Sequence, residues 1–198
     1  MSLVSGRESA VQAVAQRRRR ERILDATVAL AREGGYDAVQ MRAVAEDADV
    51  ALGTLYRYFP SKVHLLVSAL ARDLEAAEPL TREPSGDTAA ERVTELLAAT
   101  TARMQQEPRV TEALTRAFVF ADSSARDEIR AVSRLLVGML AHAIRPDADP
   151  TPDDLAAAAV VRDVWLAALV GWVTGRTSSA EVSRSLETAV RLLLAPGG

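Results

Sequence analysis

The side chains best suited to act on a partner lie in one stretch, Val39 to Leu66, which reads VQMRAVAEDADVALGTLYRYFPSKVHLL. Met41, Val44, Ala45 and Ala48 fall at i, i+3, i+4 and i+7, one face of an α-helix. Asp49 follows as a turn residue that tolerates unusual backbone angles. Val50 restarts the apolar pattern, and Leu55 and Phe59 continue it. Between these core positions lies a different surface: Ala51, Leu52, Gly53, Thr54, Tyr56, Arg57 and Tyr58. Small residues let a backbone approach a partner closely, and Thr, Tyr and Arg supply hydrogen-bond donors. This is the chemistry of recognition. Two short helices joined by a tight turn, the second presenting such a face, describe a helix-turn-helix that reads a DNA groove.

The residue types needed for other chemistry are sparse. His64 and His142 are the only histidines, far apart in sequence and on different predicted helices, so neither a metal site nor a catalytic base is indicated. The chain has no Cys and no Asn, which removes disulfides, thiolate ligands and N-glycosylation. No Ser/His/Asp pattern or glycine-rich phosphate loop is present, so the sequence supports no enzyme activity and no cofactor. No run approaches the length of uninterrupted apolar residues that a membrane span requires, and the N-terminal arginines precede no apolar signal segment. A cytoplasmic location is the natural expectation.

Charge is divided along the chain. Residues 1–72 carry a net +3 and residues 73–198 a net −6, within an overall −3. A basic N-terminal part beside an acidic remainder fits a nucleic-acid module joined to something else. Of the 24 basic side chains only one is a lysine, Lys62.

The elements that must position this stretch are all helical. Residues 1–16 show no core face and read as a flexible arm able to extend the first helix. Arg17 to Arg20, with Arg22, form a basic cluster that next to a helix-turn-helix would touch DNA phosphates or reach a minor groove. Ile23, Leu24, Thr27, Leu30 and Ala31 make an amphipathic helix that Gly34-Gly35 end. Tyr36 packs beneath this domain. Ser61 is the predicted N-cap of the next helix, with Val63, Leu66, Val67, Leu70 and Leu74 as its core stripe. Lys62 in its first turn opposes the helix dipole, a conflict that a bound phosphate would remove. Pro79 to Gly86 reads as a linker. Further helical stripes run through Val93–Met104, Val110–Phe118 and Ile129–Ala143. Thr151-Pro152 opens a helix that is apolar nearly all round in its second half, which demands cover on two sides. Ser178 or Ser179 caps a last helix with Val182, Leu186, Ala189 and Val190. No strand pattern appears.

The run GTLYRYFPSK, Gly53 to Lys62, with its flanking residues resembles the DNA-binding signature of the TetR family of bacterial repressors. Two positions depart from it: Asp49 where the family often has Gly, and Ala51 where it often has Ser. Ala51 forfeits a helix N-cap worth about 1 kcal/mol. The resemblance implies that Ala51, Leu52, Gly53 and Thr54 face bases, that Tyr56, Tyr58 and Lys62 face phosphates, and that Arg42 anchors the strand from the preceding helix. Arg57 faces solvent or DNA. The family also implies a C-terminal helical domain with a small-molecule pocket, whose last two helices pair across a two-fold axis. The large apolar residues Met104, Phe118, Phe120, Met139, Trp165, Leu169 and Trp172 are the candidate lining, though each taken singly reads first as core packing. A closer resemblance, to the KstR branch of actinobacterial sterol-catabolism repressors, rests on several runs along the chain. Among them TRAFVFAD (Thr115 to Asp122) and DVWL (Asp163 to Leu166) lie in the ligand domain.

The expectation is therefore an all-α, TetR-like chain of about nine helices: a flexible arm over 1–16, a three-helix helix-turn-helix domain over 17–62, a connecting helix over 63–78, and a ligand-binding and dimerisation domain over 79–198. It would act as a homodimer on double-stranded palindromic operator DNA and respond to a small apolar effector. That effector would be an acyl or steroid-CoA compound that releases a repressor of lipid or sterol catabolism genes, or else another hydrophobe such as a drug or fatty acyl derivative.

Overall fold

Residues 2–77 and 85–194 are described by a computed structural model, with side chains from residue 12 onward. The expected linker residues 79–84 lie outside the described residues. Among the described residues the chain forms nine α-helices and one 3-10 turn: α1 (Ser2–Ala38), α2 (Met41–Asp47), α3 (Leu52–Tyr58), α4 (Lys62–Ala77), α5 (Ala89–Gln106), α6 (Pro108–Val119), the 3-10 turn Ser123–Ala125, α7 (Arg126–Ile144), α8 (Pro152–Val173) and α9 (Ser179–Leu194). The fold is all-α, in nine helices as read from the sequence.

The first helix runs from Ser2 through the arm and the arginine cluster without a break, and its regular path stops at Gly34-Gly35. Gly34 is extended in φ, but Gly35 sits at φ 66 and ψ −156, a region that side chains with a Cβ scarcely visit. The turn redirects the chain so that Tyr36 and Val39 face inward beneath α2. Asp49 takes the next turn with φ 51, the conformation its residue type tolerates, and lets α3 cross α2. Ala51 is the N-cap of α3 and offers no side-chain hydrogen bond.

The fourth helix has the most enclosed face. Leu65, Leu66, Val67 and Ala69 are fully buried and Leu70 and Leu74 nearly so. They join the core of α1, α2 and α3 (Ile23, Leu24, Val44, Leu55, Phe59) to Val110, Ala113, Leu114 and Ala117 of α6 and Val132 of α7. Arg72 of α4 reaches back to Asp25 at 2.7 Å and Glu21 at 3.3 Å on α1. His64, also buried, bridges α4 to the 3-10 turn: its Nδ1 lies 2.9 Å from the Ser61 hydroxyl and its Nε2 3.1 Å from the Ser124 carbonyl. Ser61 stands at the predicted cap position just before α4, its carbonyl accepting from the Leu65 N–H at 3.1 Å while its hydroxyl meets this ring.

The remaining helices build a second core from Val93 and Leu97 of α5, Leu140 and Ala141 of α7, Val161, Trp165 and Leu169 of α8, and Val182, Leu186 and Val190 of α9. Their starts follow the sequence signals. Thr88 with Glu91, and Thr151 with Asp154 behind Pro152 at the first helical position, form reciprocal capping boxes. Ser178 and Glu181 exchange the equivalent bonds at α9. Hydrogen bonds from Arg145 and Thr151 hold the Asp154 carboxyl down to about 2. By length and composition α8 could cross a bilayer. It carries Arg162 and Asp163 mid-helix and buries Trp165 and Leu169 in the second core, while only 28% of its apolar stretch is buried within the chain.

The Gly35 turn generates a stability test. A Cβ there would lie 3.0 Å from Glu112 Oε2 of α6 on top of the unfavourable backbone angles. Gly35→Ala is expected to lower the urea midpoint by the equivalent of about 1–3 kcal/mol, with an unchanged m-value. An unchanged midpoint would contradict this view of the turn.

Candidate DNA interface and effector cavity

The recognition surface is built by α3 on the floor that α2 and α1 provide. Leu55 and Phe59 are buried beneath it, so the intervening residues point outward: Ala51, Gly53, Tyr56 and Arg57 are exposed, and Leu52, Thr54 and Tyr58 are half-buried. Arg42, second residue of α2, is exposed. Gly53 is informative because nothing lies within 4 Å of where its Cβ would be. The fold has room for a side chain, and glycine inside a helix costs about 0.5–1 kcal/mol relative to alanine. Packing within the chain therefore does not require glycine here, as it does not at Gly138 of α7.

Lys62 has a more complex setting than a free surface cation. Its Nζ lies 3.8 Å from the centre of the Tyr36 ring, and the Arg116 guanidinium of α6 lies 4.4 Å from the same centre. Burial pushes its pKa down, an effect that Asp37 opposes, Arg116 reinforces and Glu112 opposes. Glu112 also accepts a hydrogen bond from the Tyr36 backbone N–H at 3.0 Å and pairs with Arg116 at 3.5 Å. Tyr36 therefore packs beneath the N-terminal helices as its position suggested, and it also touches the C-terminal ones. Arg32 reinforces the junction through a two-point bond to Glu107, both contacts at 2.9 Å.

Between α4, α5, α6, α7 and α8 lies a narrow apolar slot, partly open to solvent, with a cavity volume of about 40 Å³. Of the sequence candidates, Met104, Phe118, Trp165 and Leu169 line it, joined by Thr115, Val132 and Leu136 and by Leu70 and Leu74 of α4. Three candidates are not in the lining. Phe120 is 76% exposed just past the end of α6; two residues from Phe118 it is turned by about 200° on a helix, so the two rings cannot face one cavity. Met139 and Trp172 each sit one turn beyond lining residues, Leu136 and Leu169, where the slot has already closed; Trp172 packs instead with the α5–α9 core. Trp165 fixes its edge by donating to Thr101 Oγ1 at 3.0 Å. Arg162, missed from the sequence, is the charged residue of the lining and is held by Asp163 at 2.7 Å. Leu70, Leu74 and Val132 were legible as core stripes but not as cavity walls. Among the described residues no group of three acidic or histidine side chains could hold a metal ion.

These two features, a helix-turn-helix and a helical domain with an apolar slot, define a class. The family model for bacterial regulatory proteins of the tetR family matches residues 23–69, and that for the tetracyclin repressor-like C-terminal domain matches residues 86–193. The chain belongs to the TetR family of transcriptional regulators and is not an enzyme. Within that family it is 56% identical over 183 residues to the HTH-type transcriptional repressor KstR of Rhodococcus jostii (strain RHA1), covering 92% of this chain and 86% of the relative. It is 51% identical over 189 residues to the KstR of Mycobacterium tuberculosis (strain ATCC 25618 / H37Rv), covering 94% and 86%. Among solved structures, a TetR regulator from Rhodococcus sp. RHA1 superposes with a TM-score of 0.85 at 29% identity, covering 93% of this chain and all of that one. Thermus thermophilus FadR in complex with lauroyl-CoA shares the fold, with a TM-score of 0.72 at 22% identity over 90% of this chain and all of that one.

Gly53→Ala separates fold from recognition. The variant is expected to be as stable as the parent or up to about 1 kcal/mol more so, while its affinity for operator DNA drops about tenfold or more, roughly 1.4 kcal/mol. Thermal melts and gel shifts read the two effects; retained DNA affinity would remove Gly53 from the interface.

Proposed function

We propose that the protein is a homodimeric operator-binding repressor of lipid or sterol catabolism genes, released when an acyl or steroid-CoA compound enters the slot. The observation that carries this reading is the position of α4. Its Leu70 and Leu74 form part of the slot wall, while its first residue, Lys62, adjoins the recognition helix. A ligand that widens the slot has to displace α4, and α4 carries the DNA-facing helices with it. The effector binds best to a conformer whose two recognition helices have lost the spacing of about 34 Å that successive major grooves require. DNA in turn binds best to the other conformer, so each ligand weakens the other.

In this reading Ala51, Leu52, Gly53 and Thr54 face base edges, Tyr56, Tyr58 and Lys62 face phosphates, and Arg42 anchors the strand. Lys62 would exchange the Tyr36 ring for a phosphate. Exposed apolar residues on α8 and α9, Leu155, Val160, Leu192 and Leu193, supply the surface that a second subunit would cover. The steroid-type effector is supported by the 51–56% identity to KstR repressors and by where the TRAFVFAD and DVWL runs fall. Thr115, Phe118, Trp165 and Leu166 from these runs all line the slot. Arg162 offers a cationic handle for an anionic group on an apolar body. A fatty acyl-CoA is the second reading, favoured by the narrowness of the slot, which suits a single chain better than a fused ring system.

Displacement of labelled operator by a panel of steroid-CoA and fatty acyl-CoA compounds discriminates between them. The first reading expects release by the steroid compounds at lower concentration; release by fatty acyl compounds alone supports the second, and release by neither rejects both. Leu166→Trp, which fills the slot, is expected to retain operator binding within about threefold, roughly 0.7 kcal/mol, and to abolish release.

A further inference from the structure

The N-terminal half of α1 and the C-terminal end of α3 enclose an open groove lined by Gln16, Arg19, Arg57 and Tyr58. We propose that this groove is a clamp for a single DNA phosphate, gripped from two sides by Arg19 and Arg57. The inference rests on the DNA-binding reading above and adds to it a residue, Arg57, whose direction the sequence left open.

Every lining side chain can donate a hydrogen bond and none carries a negative charge. Gln16 and Arg19 are three residues apart on one face of α1. Arg57 is exposed in the last turn of α3, and Tyr58 is half-buried beside it. Some guanidinium groups of the fold are met by acids, as Arg32 is by Glu107, Arg72 by Asp25 and Arg145 by Asp154. Among the described residues, Arg19 and Arg57 have no acidic partner. Two cations lining one groove repel each other unless an anion sits between them. A phosphate accepts from both forks at once, and that geometry suits guanidinium in particular. The neighbouring Arg20 stacks its guanidinium 5.5 Å from the centre of the buried Phe59 ring at the end of α3. That contact ties α1 to the residue that ends α3.

The location also selects backbone over base. The first residues of a recognition helix reach base edges, whereas its far end lies toward the sugar-phosphate wall of the groove. A clamp at that end holds the strand flanking the bases read by Ala51 to Thr54. It carries no sequence information and sets register and affinity.

The experiment requires no knowledge of the operator. Binding of the full chain to a labelled mixed-sequence duplex is measured by anisotropy across a sodium chloride series, for the parent, Arg19→Ala, Arg57→Ala and the double variant. Arg134→Ala, at an exposed position on α7, is the control. Each single variant is expected to weaken binding several-fold and to flatten the slope of log K against log salt by about 0.9 per subunit, the signature of one lost phosphate contact. The double variant is expected to lose little more than the worse single variant, because both arginines serve one phosphate. Arg134→Ala should leave affinity and slope unchanged. Losses and slope changes that add in the double variant would mean two separate phosphates and overturn the clamp, as would parent-like binding by either single variant. Absence of salt-dependent binding by the parent would instead reject the DNA-binding reading itself, and the clamp with it. Circular dichroism melts check that these substitutions leave the helices intact.

Discussion

The burial of α4 is the constraint on which the rest of the molecule depends. Leu65, Leu66, Val67 and Ala69 are sealed against neighbours, and Leu70 and Leu74 complete the same stripe. Protein interiors are packed too densely for such a helix to slide alone. In the proposed mechanism, movement of the slot wall would carry α1 and α2, the floor of the recognition helix, with it, because they share one core with α4. Arg72 and His64 tighten this arrangement by tying α4 to α1 on one side and to the turn before α7 on the other.

A second set of contacts reaches the first residue of α4 from α6. Glu112 and Arg116 of α6 hold the Tyr36 loop, and Tyr36 in turn holds Lys62. The same helix presents Thr115 and Phe118 to the slot. One turn of α6 thus faces the cavity with one set of side chains and the DNA-binding helices with the next. Lys62, the chain's single lysine, sits over the Tyr36 ring, and in the proposed mechanism its flexible stem would let the compact charge move from that ring to a phosphate.

Most of the architecture was legible in the sequence because its signals are local. The 3.6-residue stripes, the Thr151-Pro152 start, the Ser178 cap and the Gly34-Gly35 stop each depend on a few adjacent residues. The helix-turn-helix was legible for the same reason, down to the left-handed Asp49. The slot was legible only in part, since lining a cavity is a relation between helices. Met104, Phe118, Trp165 and Leu169 were selected for their size and do line it. Phe120 and Trp172 were selected on the same ground and do not, because size says nothing of the angle about the helix axis. Arg162 went unselected because a charged side chain is not expected in an apolar wall. Tyr36 could be read as core but not as a bridge, since its partner Arg116 lies 80 residues away in sequence.

The central claim, that filling the slot moves the DNA-binding helices, can be measured directly because the chain contains no native cysteine. A single Glu46→Cys substitution, exposed on α2, places one spin label on each subunit of a dimer. The distance between the labels is then measured by pulsed electron resonance on operator DNA, free, and with a saturating steroid-CoA or acyl-CoA compound that binds the protein. The separation in the ligand-bound protein is expected to differ clearly from that on operator. A bound ligand that leaves the operator-bound distance unchanged would contradict it.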